Sequence, residues 1–273
     1  MPAPVSREET QAKMDVLAAA TLRHTPSQPY TVADRFEEKA QAHPERAFIL
    51  YEGETITYAD FNRRANRVAH VMRDAGLRRG DVAALFMENR PEFIATWLGF
   101  AKLGVTVALL NTHLRGGVLG HALATTQARA LVAGAELGSA LAAIDPASRP
   151  ARPFVLLDPY GPPCEPAPSW MAALDPLLAA APDTDPDPAA RAELRGGDDL
   201  FHIFTSGTTG LPKAARLSPM RYLGVGDGMS AIAGYGPDDV IACVLPLYHG
   251  AGGMVVISCA LSQGAAVALR RRF

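Results

Sequence analysis

The chain has 273 residues, 48% hydrophobic and 20% charged, the balance of an ordinary globular protein with room for one large domain or two small ones. With 26 Lys+Arg against 28 Asp+Glu, the net charge of −2 excludes a global field that would draw nucleic acid. Cys164, Cys243 and Cys259 are widely spaced and form no CxxC pair, which excludes a disulfide framework or a zinc site and fits a reducing cytosol.

Residues 1–29 set Pro2, Pro4, Pro26 and Pro29 around a short amphipathic segment, which predicts a helical arm and a linker. Glu8, Glu9 and Asp15 interrupt it, and the apolar run at 16–20 is too short for a signal peptide. Val32, Phe36 and Ala40 recur every four residues and predict a helix over 32–42 with one buried face. A strand at 47–51, a turn at Glu52-Gly53-Glu54 and a strand at 55–58 make a hairpin. Phe61, Ala65, Val68, Met72 and Ala75 then form one stripe of a helix closed by Gly76. Arg63, Arg64, Arg67 and Arg73 lie off that stripe and read as a solvated face.

Residues 82–87 read as a buried strand. Pro91 opens a helix through Phe93, Ile94, Trp97, Leu98 and Ala101 that Gly104 closes, and 105–110 is the next strand. Strand, helix and strand in this order make a parallel crossover unit. A helix at 120–126 and a strand at 130–133 continue the alternation. The fold class is therefore α/β, with mostly parallel sheets covered by helices. Prolines crowd from 146 to 168 around one strand at 154–157, and a short helix follows at 172–181. The Pro- and Asp-rich stretch 182–188 predicts a solvated linker. The expected organisation is an arm at 1–29, a first α/β lobe at 30–181, a linker at 182–197 and the start of a second α/β lobe at 198–273.

The second lobe carries the chemistry. An apolar run at 200–204, broken only by His202, feeds Thr205-Ser206-Gly207-Thr208-Thr209-Gly210-Leu211-Pro212-Lys213. Glycines let consecutive backbone N–H groups converge on an anion. The hydroxyls of Thr205, Ser206, Thr208 and Thr209 add donors, and Lys213 adds a point charge suited to phosphate oxygens. Only Lys13, Lys39, Lys102 and Lys213 among the 26 cations are lysine, which sets Lys213 apart from the cation of an ordinary polar hairpin. The loop is not a Walker loop, because Gly207 and Gly210 stand too close and Ala214 follows the lysine.

Beyond the loop, a strand at 214–217 leads to a helix at 219–233. Its Gly224, Gly226 and Gly228 fail the dinucleotide pattern at Met229 and point to close helix packing. A strand at 239–245, a helix at 251–262 and a strand at 265–269 follow. The last is expected to be an interior strand of an unfinished sheet, leaving an exposed edge. Residues 241–269 lack Asp, Glu, Lys and Arg, yet Pro246, His249, Gln263 and several glycines interrupt them and exclude a spanning helix. The histidines form no i, i+4 pair, and Phe204 stands where a G-x-S-x-G elbow needs its first glycine, so neither a metal site nor a hydrolase is supported. Arg270, Arg271 and Arg272 read as a solvated strand end.

The run from Thr205 to Lys213 resembles the phosphate-binding signature of the adenylate-forming enzymes, which include acyl-CoA synthetases, luciferases and peptide-synthetase adenylation domains. Thr55-Ile56-Thr57-Tyr58-Ala59-Asp60, Leu109-Leu110-Asn111-Thr112, Leu114-Arg115 and Leu245-Pro246-Leu247-Tyr248-His249 are similar to further segments of that family. The Asn111 and Tyr248 segments are most similar to the fatty-acid-transport and very-long-chain acyl-CoA synthetase branch. The resemblance runs from about residue 30 to 273 and implies the N-terminal part of the family's large domain.

It also implies a reaction: a fatty carboxylate attacks the α-phosphate of ATP, and coenzyme A then displaces AMP from the acyl-adenylate. Thr205, Ser206, Gly207, Thr208, Thr209 and Gly210 would hold the phosphates, with Lys213 neutralising departing pyrophosphate. Thr208 or Thr209, not separable here, would lie close to Mg²⁺, so Lys213 and Thr208 are the catalytic candidates. Tyr248, His249 and Gly252 would line the acyl and adenylate site. The implied partners are fatty acid, ATP and coenzyme A in the cytoplasm, with peripheral membrane contact left open. The family's metal-holding Glu, ribose-binding Asp and C-terminal adenylation lysine have no counterpart in these 273 residues, which predicts a portion that does not turn over alone. Two alternatives stand beside this reading: a non-catalytic nucleotide- or fatty-acid-binding module, and a synthetase for an aryl or other carboxylic acid.

Overall fold

The computed structural model describes residues 6–162, 167–205 and 213–272. Helix α1 (Arg7–Leu22) starts at a reciprocal cap: Ser6 Oγ accepts from Glu9 N at 3.1 Å, and Ser6 N donates to Glu9 Oε2 at 2.8 Å. Helix α2 (Val32–Ala42) buries Val32, Phe36 and Ala40, the face its spacing predicts. Strands β1 (Ala47–Tyr51) and β2 (Glu54–Thr57) form the expected hairpin, with φ of 47° at Glu52 and 82° at Gly53 in its two-residue turn. Helix α3 (Tyr58–Asp74) is capped by Thr57, whose side chain accepts from Asp60 N, and buries Phe61, Ala65, Val68 and Met72.

Strand β3 (Val82–Phe86), helix α4 (Pro91–Lys102), strand β4 (Thr106–Leu109), helix α5 (Gly116–Thr126) and strand β5 (Ala130–Gly134) follow in the predicted order. Then come helix α6 (Gly138–Ala142), strands β6 (Arg152–Leu156) and β7 (Ala172–Ala173), and helix α7 (Asp175–Ala180). Strands β8 (Phe201–Thr205) and β9 (Lys213–Leu217) lead to helix α8 (Pro219–Ala233) and strand β10 (Val240–Cys243). A π-helical turn at Gly250–Val256 runs into helix α9 (Ile257–Gln263), and strand β11 (Ala266–Leu269) comes last.

The strands form two sheets. The larger has the order β7-β6-β5-β3-β4-β8-β9, parallel throughout except for β9, and the smaller has the order β10-β11-β1-β2, parallel except for β2. Strands from 30–181 and from 198–273 share both sheets, with β8 beside β4 and β11 beside β1. Strand β11 is interior, as expected, but it is paired on both sides, and the open edges of the smaller sheet are β10 and β2. A strand's neighbours are set by long-range pairing, and sequence order does not reveal them.

The stretch 182–188 is mostly exposed, yet it is tied to the body. Asn66 Nδ2 donates to Asp183 O at 2.8 Å, His70 Nε2 lies 2.8 Å from Thr184 O, and Lys102 Nζ lies 3.0 Å from Asp185 Oδ1. Polar side chains of α3 and α4 satisfy its backbone and carboxylates and pin it to the helices. Arg67 joins in through Asp183 at 3.2 Å, while Arg64 reaches Glu54 at 2.6 Å, so part of the arginine face is paired as well as solvated.

The core has two parts. Helix α4 is buried along nearly its whole length, which its apolar residues on every side permit. Trp97, Phe201 and Tyr222 meet edge-on with centroids 5.1–5.8 Å apart, joining α4, β8 and α8. On the other face of the large sheet, Phe86, Leu119, Leu123, Leu131 and Leu141 form a second cluster under α5 and α6. The glycines of α8 do serve close packing. A Cβ on Gly226 would meet Ser258 O at 2.4 Å, and one on Gly228 would meet Leu17 Cδ1 at 2.6 Å.

Candidate functional site

Strands β3, β4 and β8 lie side by side and point the same way, so the segments that leave their carboxyl ends gather at one rim of the large sheet. In open α/β sheets this rim is where ligands bind. Glu88 and Asn89 follow β3, and Asn111 to His113 follow β4. The predicted phosphate loop follows β8. Ser206, Gly207, Thr208, Thr209 and Gly210 lie outside the described residues. Its two ends lie within them: Thr205 closes β8, Lys213 opens β9, and the two are direct cross-strand partners. The hairpin thus fixes both ends of the loop at the rim.

The small sheet contributes from the other side. After β10 the chain runs through Pro246 and Leu247 to Tyr248, and after β11 it reaches Arg270. Asn89 ties these pieces together. Its Nδ2 donates to Leu245 O at 2.9 Å and to Arg270 O at 3.2 Å, and its Oδ1 accepts from Leu247 N at 2.8 Å. Tyr51 Oη donates to the Asn89 carbonyl at 3.1 Å. One buried amide therefore holds the Tyr248 segment against the end of β3.

Between these segments lies a cavity of about 270 Å³ lined by Asn89, Thr112, His113, Val244, Pro246 and Tyr248. Tyr248 is half-buried, and burial raises its phenol pKa, with the Thr112 hydroxyl acting in the opposite direction. The predicted neighbours of Tyr248 are placed differently. His249 is exposed, and its Nδ1 accepts from Ala251 N at 3.3 Å, capping the π-helical turn. Gly252 is buried with its open side against Pro246 O, where a Cβ would stand 2.5 Å away. Carbonyls of Pro246 and Leu245 fill the space beside Gly252, and neither His249 nor Gly252 is among the residues that line this cavity.

A wider cleft of about 720 Å³ adjoins it, sharing Glu88, Arg271 and Arg272, and is lined further by Glu52, Glu136 and Tyr160. Arg271 is held here by Glu88 at 2.8 Å and by a close pair with Asp158, whereas Arg270 and Arg272 are exposed. Burial alone would raise the Asp158 carboxyl, but the hydrogen bonds from Arg271 and from Tyr160 N, with Arg90 nearby, hold it below its ordinary value. Arg90 itself is fully buried, donating to Leu157 O at 2.6 Å and Leu156 O at 3.1 Å, with Glu136 3.5 Å away.

Sequence reading missed Asn89, Arg90 and Asp158, and it took Arg271, which Glu88 and Asp158 hold, for part of a solvated strand end. An Asn in the turn between a strand and Pro91 was a local signal, but the partners of Asn89 lie more than 150 residues away along the chain. Among the described residues no cluster of three or more His, Cys, Asp or Glu could hold a metal ion. None of the described helices is long and apolar enough to cross a membrane.

Solved structures share this architecture. The N-terminal domain of FACL13 from Mycobacterium tuberculosis aligns with a TM-score of 0.74 at 24% identity, covering 89% of this chain and 57% of that one. Apo MbtA from Mycobacterium smegmatis aligns at 0.75 and 22% identity, covering 98% of this chain and 47% of that one. Among curated proteins, long-chain fatty acid transport protein 6 of Mus musculus is 37% identical over 245 residues, 89% of this chain and 38% of that protein. The medium/long-chain-fatty-acid–CoA ligase FadD6 of Mycobacterium tuberculosis is 32% identical over 259 residues, 94% of this chain and 40% of that protein. The chain spans about two fifths of the length of these curated relatives. The family model described as AMP-binding enzyme matches residues 36–273, and the chain belongs to that family.

Proposed function

We propose that the protein takes part in the ATP-dependent activation of a fatty carboxylic acid, through an acyl-adenylate, to the coenzyme A thioester. The observation that carries this reading is the family match over 36–273 together with the glycine-hydroxyl loop rooted at the carboxyl end of β8. The acid's carboxylate oxygen would attack the α-phosphate of ATP and expel pyrophosphate. The thiolate of coenzyme A would then attack the acyl carbonyl and expel AMP. Transfers of this kind depend chiefly on positioning and charge stabilisation. Lys213, rooted beside Thr205 by the β8–β9 pairing, is suited to neutralise the departing pyrophosphate. Donors of the 205–210 turn would take the β- and γ-phosphates. The rim cavity beside Tyr248 would take the carboxylate end of the acid. Thr208 and Thr209, the candidates to approach Mg²⁺, fall outside the described residues, so no step here is routed through a metal.

The fatty class rests on the names of the relatives, two of which act on or transport long-chain fatty acids by those names. Pyrophosphate release with ATP and a panel of palmitate, octanoate, benzoate and anthranilate, measured on a full-length enzyme that contains these residues, tests both claims. Palmitate or octanoate should give the fastest release. Preference for the aryl acids would overturn the substrate class, and no release with any acid would favour a binding module.

A further inference from the structure

Tyr222 on α8 is fully buried, and its ring and its hydroxyl meet different parts of the rim's support. The ring lies edge-on to Phe201, with centroids 5.8 Å apart, and Phe201 opens the strand that ends at Thr205 and the phosphate loop. The hydroxyl donates to Gly253 O at 3.3 Å, in the π-helical turn that follows Tyr248 and His249. Burial pushes the phenol well above its ordinary pKa, so the O–H stays a donor. Single π-helical turns are rare and frequently mark functional sites.

Gly253 is a point on which the Tyr248 segment rests. A Cβ there would overlap the Leu247 carbonyl, so the backbone of 253 lies directly against the residue before Tyr248. Gly253 N also donates to His249 O at 2.9 Å. Leu247 N in turn donates to Asn89 Oδ1 at 2.8 Å. The segment is therefore held at two points, by Asn89 from the end of β3 and by Gly253 from the π-helical turn. A glycine brings no side chain of its own to fix that turn, and Tyr222 supplies the anchor from α8.

We propose that Tyr222 is a positioning residue for the acid: by holding Gly253 it sets where Leu247 and Tyr248 stand at the rim cavity. This rests on the reading above that the cavity beside Tyr248 takes the carboxylate end of the acid. Ring and hydroxyl serve different sides of the rim, so they can be separated. Tyr222→Phe keeps the edge-on contacts with Trp97 and Phe201 and removes only the bond to Gly253.

The test compares wild type, Tyr222→Phe and Ser230→Ala in a full-length enzyme that contains these residues. Ser230 is the control: it is also fully buried on α8, but its hydroxyl donates to Cys259 O at 3.4 Å, in α9 beyond the π-helical turn. KM for the acid and for ATP is read from pyrophosphate release, and amide hydrogen exchange is read over 247–256. Tyr222→Phe should raise KM for the acid ~3–10-fold, the range of one lost buried hydrogen bond, with KM for ATP within ~2-fold of wild type. Exchange over 247–256 should quicken by a similar factor. Ser230→Ala should lower the melting temperature and leave both readouts at wild-type values. Equal shifts in the two KM values, no shift in either, or the same split in Ser230→Ala overturns the proposal. Unchanged exchange over 247–256 in Tyr222→Phe overturns it whether or not the enzyme turns over. Failure of every acid to release pyrophosphate overturns the functional reading instead, and exchange then decides whether Tyr222 holds the segment.

Discussion

Lys213 and Asn89 show two ways in which one residue can control the rim. Lys213 is a direct chemical candidate, placed by a strand pair opposite Thr205. In a full-length enzyme that contains these residues, Lys213→Ala should slow pyrophosphate release by ~10²-fold or more, the scale of losing one preorganised charged donor. Release at the wild-type rate would remove its role. Asn89 acts through the segments it holds. Asn89→Ala strands the Leu247 N–H and the Leu245 and Arg270 carbonyls, and it should lower stability by about 2 kcal/mol or more. Because those segments carry Tyr248, KM for the acid should rise more than KM for ATP, and a change in melting temperature alone would limit Asn89 to the core. His249 offers the reverse case. If it touches substrate, His249→Ala should alter kinetics for the acid, whereas loss of stability without a kinetic change would leave it as the cap of the π-helical turn.

At the level of elements, helix contacts are set by where Cβ atoms are missing. In α8, Gly226 lies against the backbone of α9, with Ser258 O 2.4 Å from the position of a Cβ. Gly226→Ala must push the two helices apart and should cost about 1–3 kcal/mol. Gly117, in the first turn of α5, has nothing within 4 Å of a Cβ and a negative φ. Gly117→Ala should raise stability by up to ~1 kcal/mol through helix propensity. Denaturant midpoints of the two variants should therefore move in opposite directions. A shared direction would show that propensity, and not the helix contact, governs both.

Across the whole molecule, the N-terminal helix is locked to the body by one buried carboxylate. Asp227 on α8 is 1% exposed and lies 2.7 Å from Arg23, 2.6 Å from His24 and 3.0 Å from Arg35, with Ser262 donating closely as well. Burial would raise its pKa, but the hydrogen bonds from Arg35, Ser262 and His24 outweigh this and hold it far below the usual carboxylate range. A depressed carboxyl contributes stability that is fully present above the unfolded value of about 3.9 and is lost as the pH falls through the lower folded value. Between pH 5 and 8 it therefore adds no pH dependence, and below about pH 4 stability should fall. Asp227→Asn leaves buried guanidinium without its counter-charge and should cost about 3–5 kcal/mol at pH 7, while flattening the acid limb of the stability curve. Urea midpoints from pH 3 to 7 measure both. An acid limb as steep in Asp227→Asn as in the wild type would assign the acid sensitivity to other carboxylates.

The sequence by itself determined the α/β class, most of the element order and the loop that marks the family, but not helix α6 or the short strand β7, which lies where a helix was expected. The features it determined are written in local patterns: the stripe of α3, the Pro91 start of α4, and the glycines and hydroxyls before Lys213. Each depends on neighbours within a turn or two, so it can be read without the fold. Only the tertiary structure decided that strands from both halves of the chain interleave in two sheets, that 182–188 is pinned to α3 and α4, and that Gly252 packs on the Pro246 carbonyl. It alone assigned Asn89 and Asp227 their work. Their partners lie far along the chain, about 160 residues from Asn89 to Leu247 and about 200 from Asp227 to His24. A buried amide or carboxylate has no periodicity of its own, and its role exists only once folding removes water from around it and leaves distant groups as its sole partners.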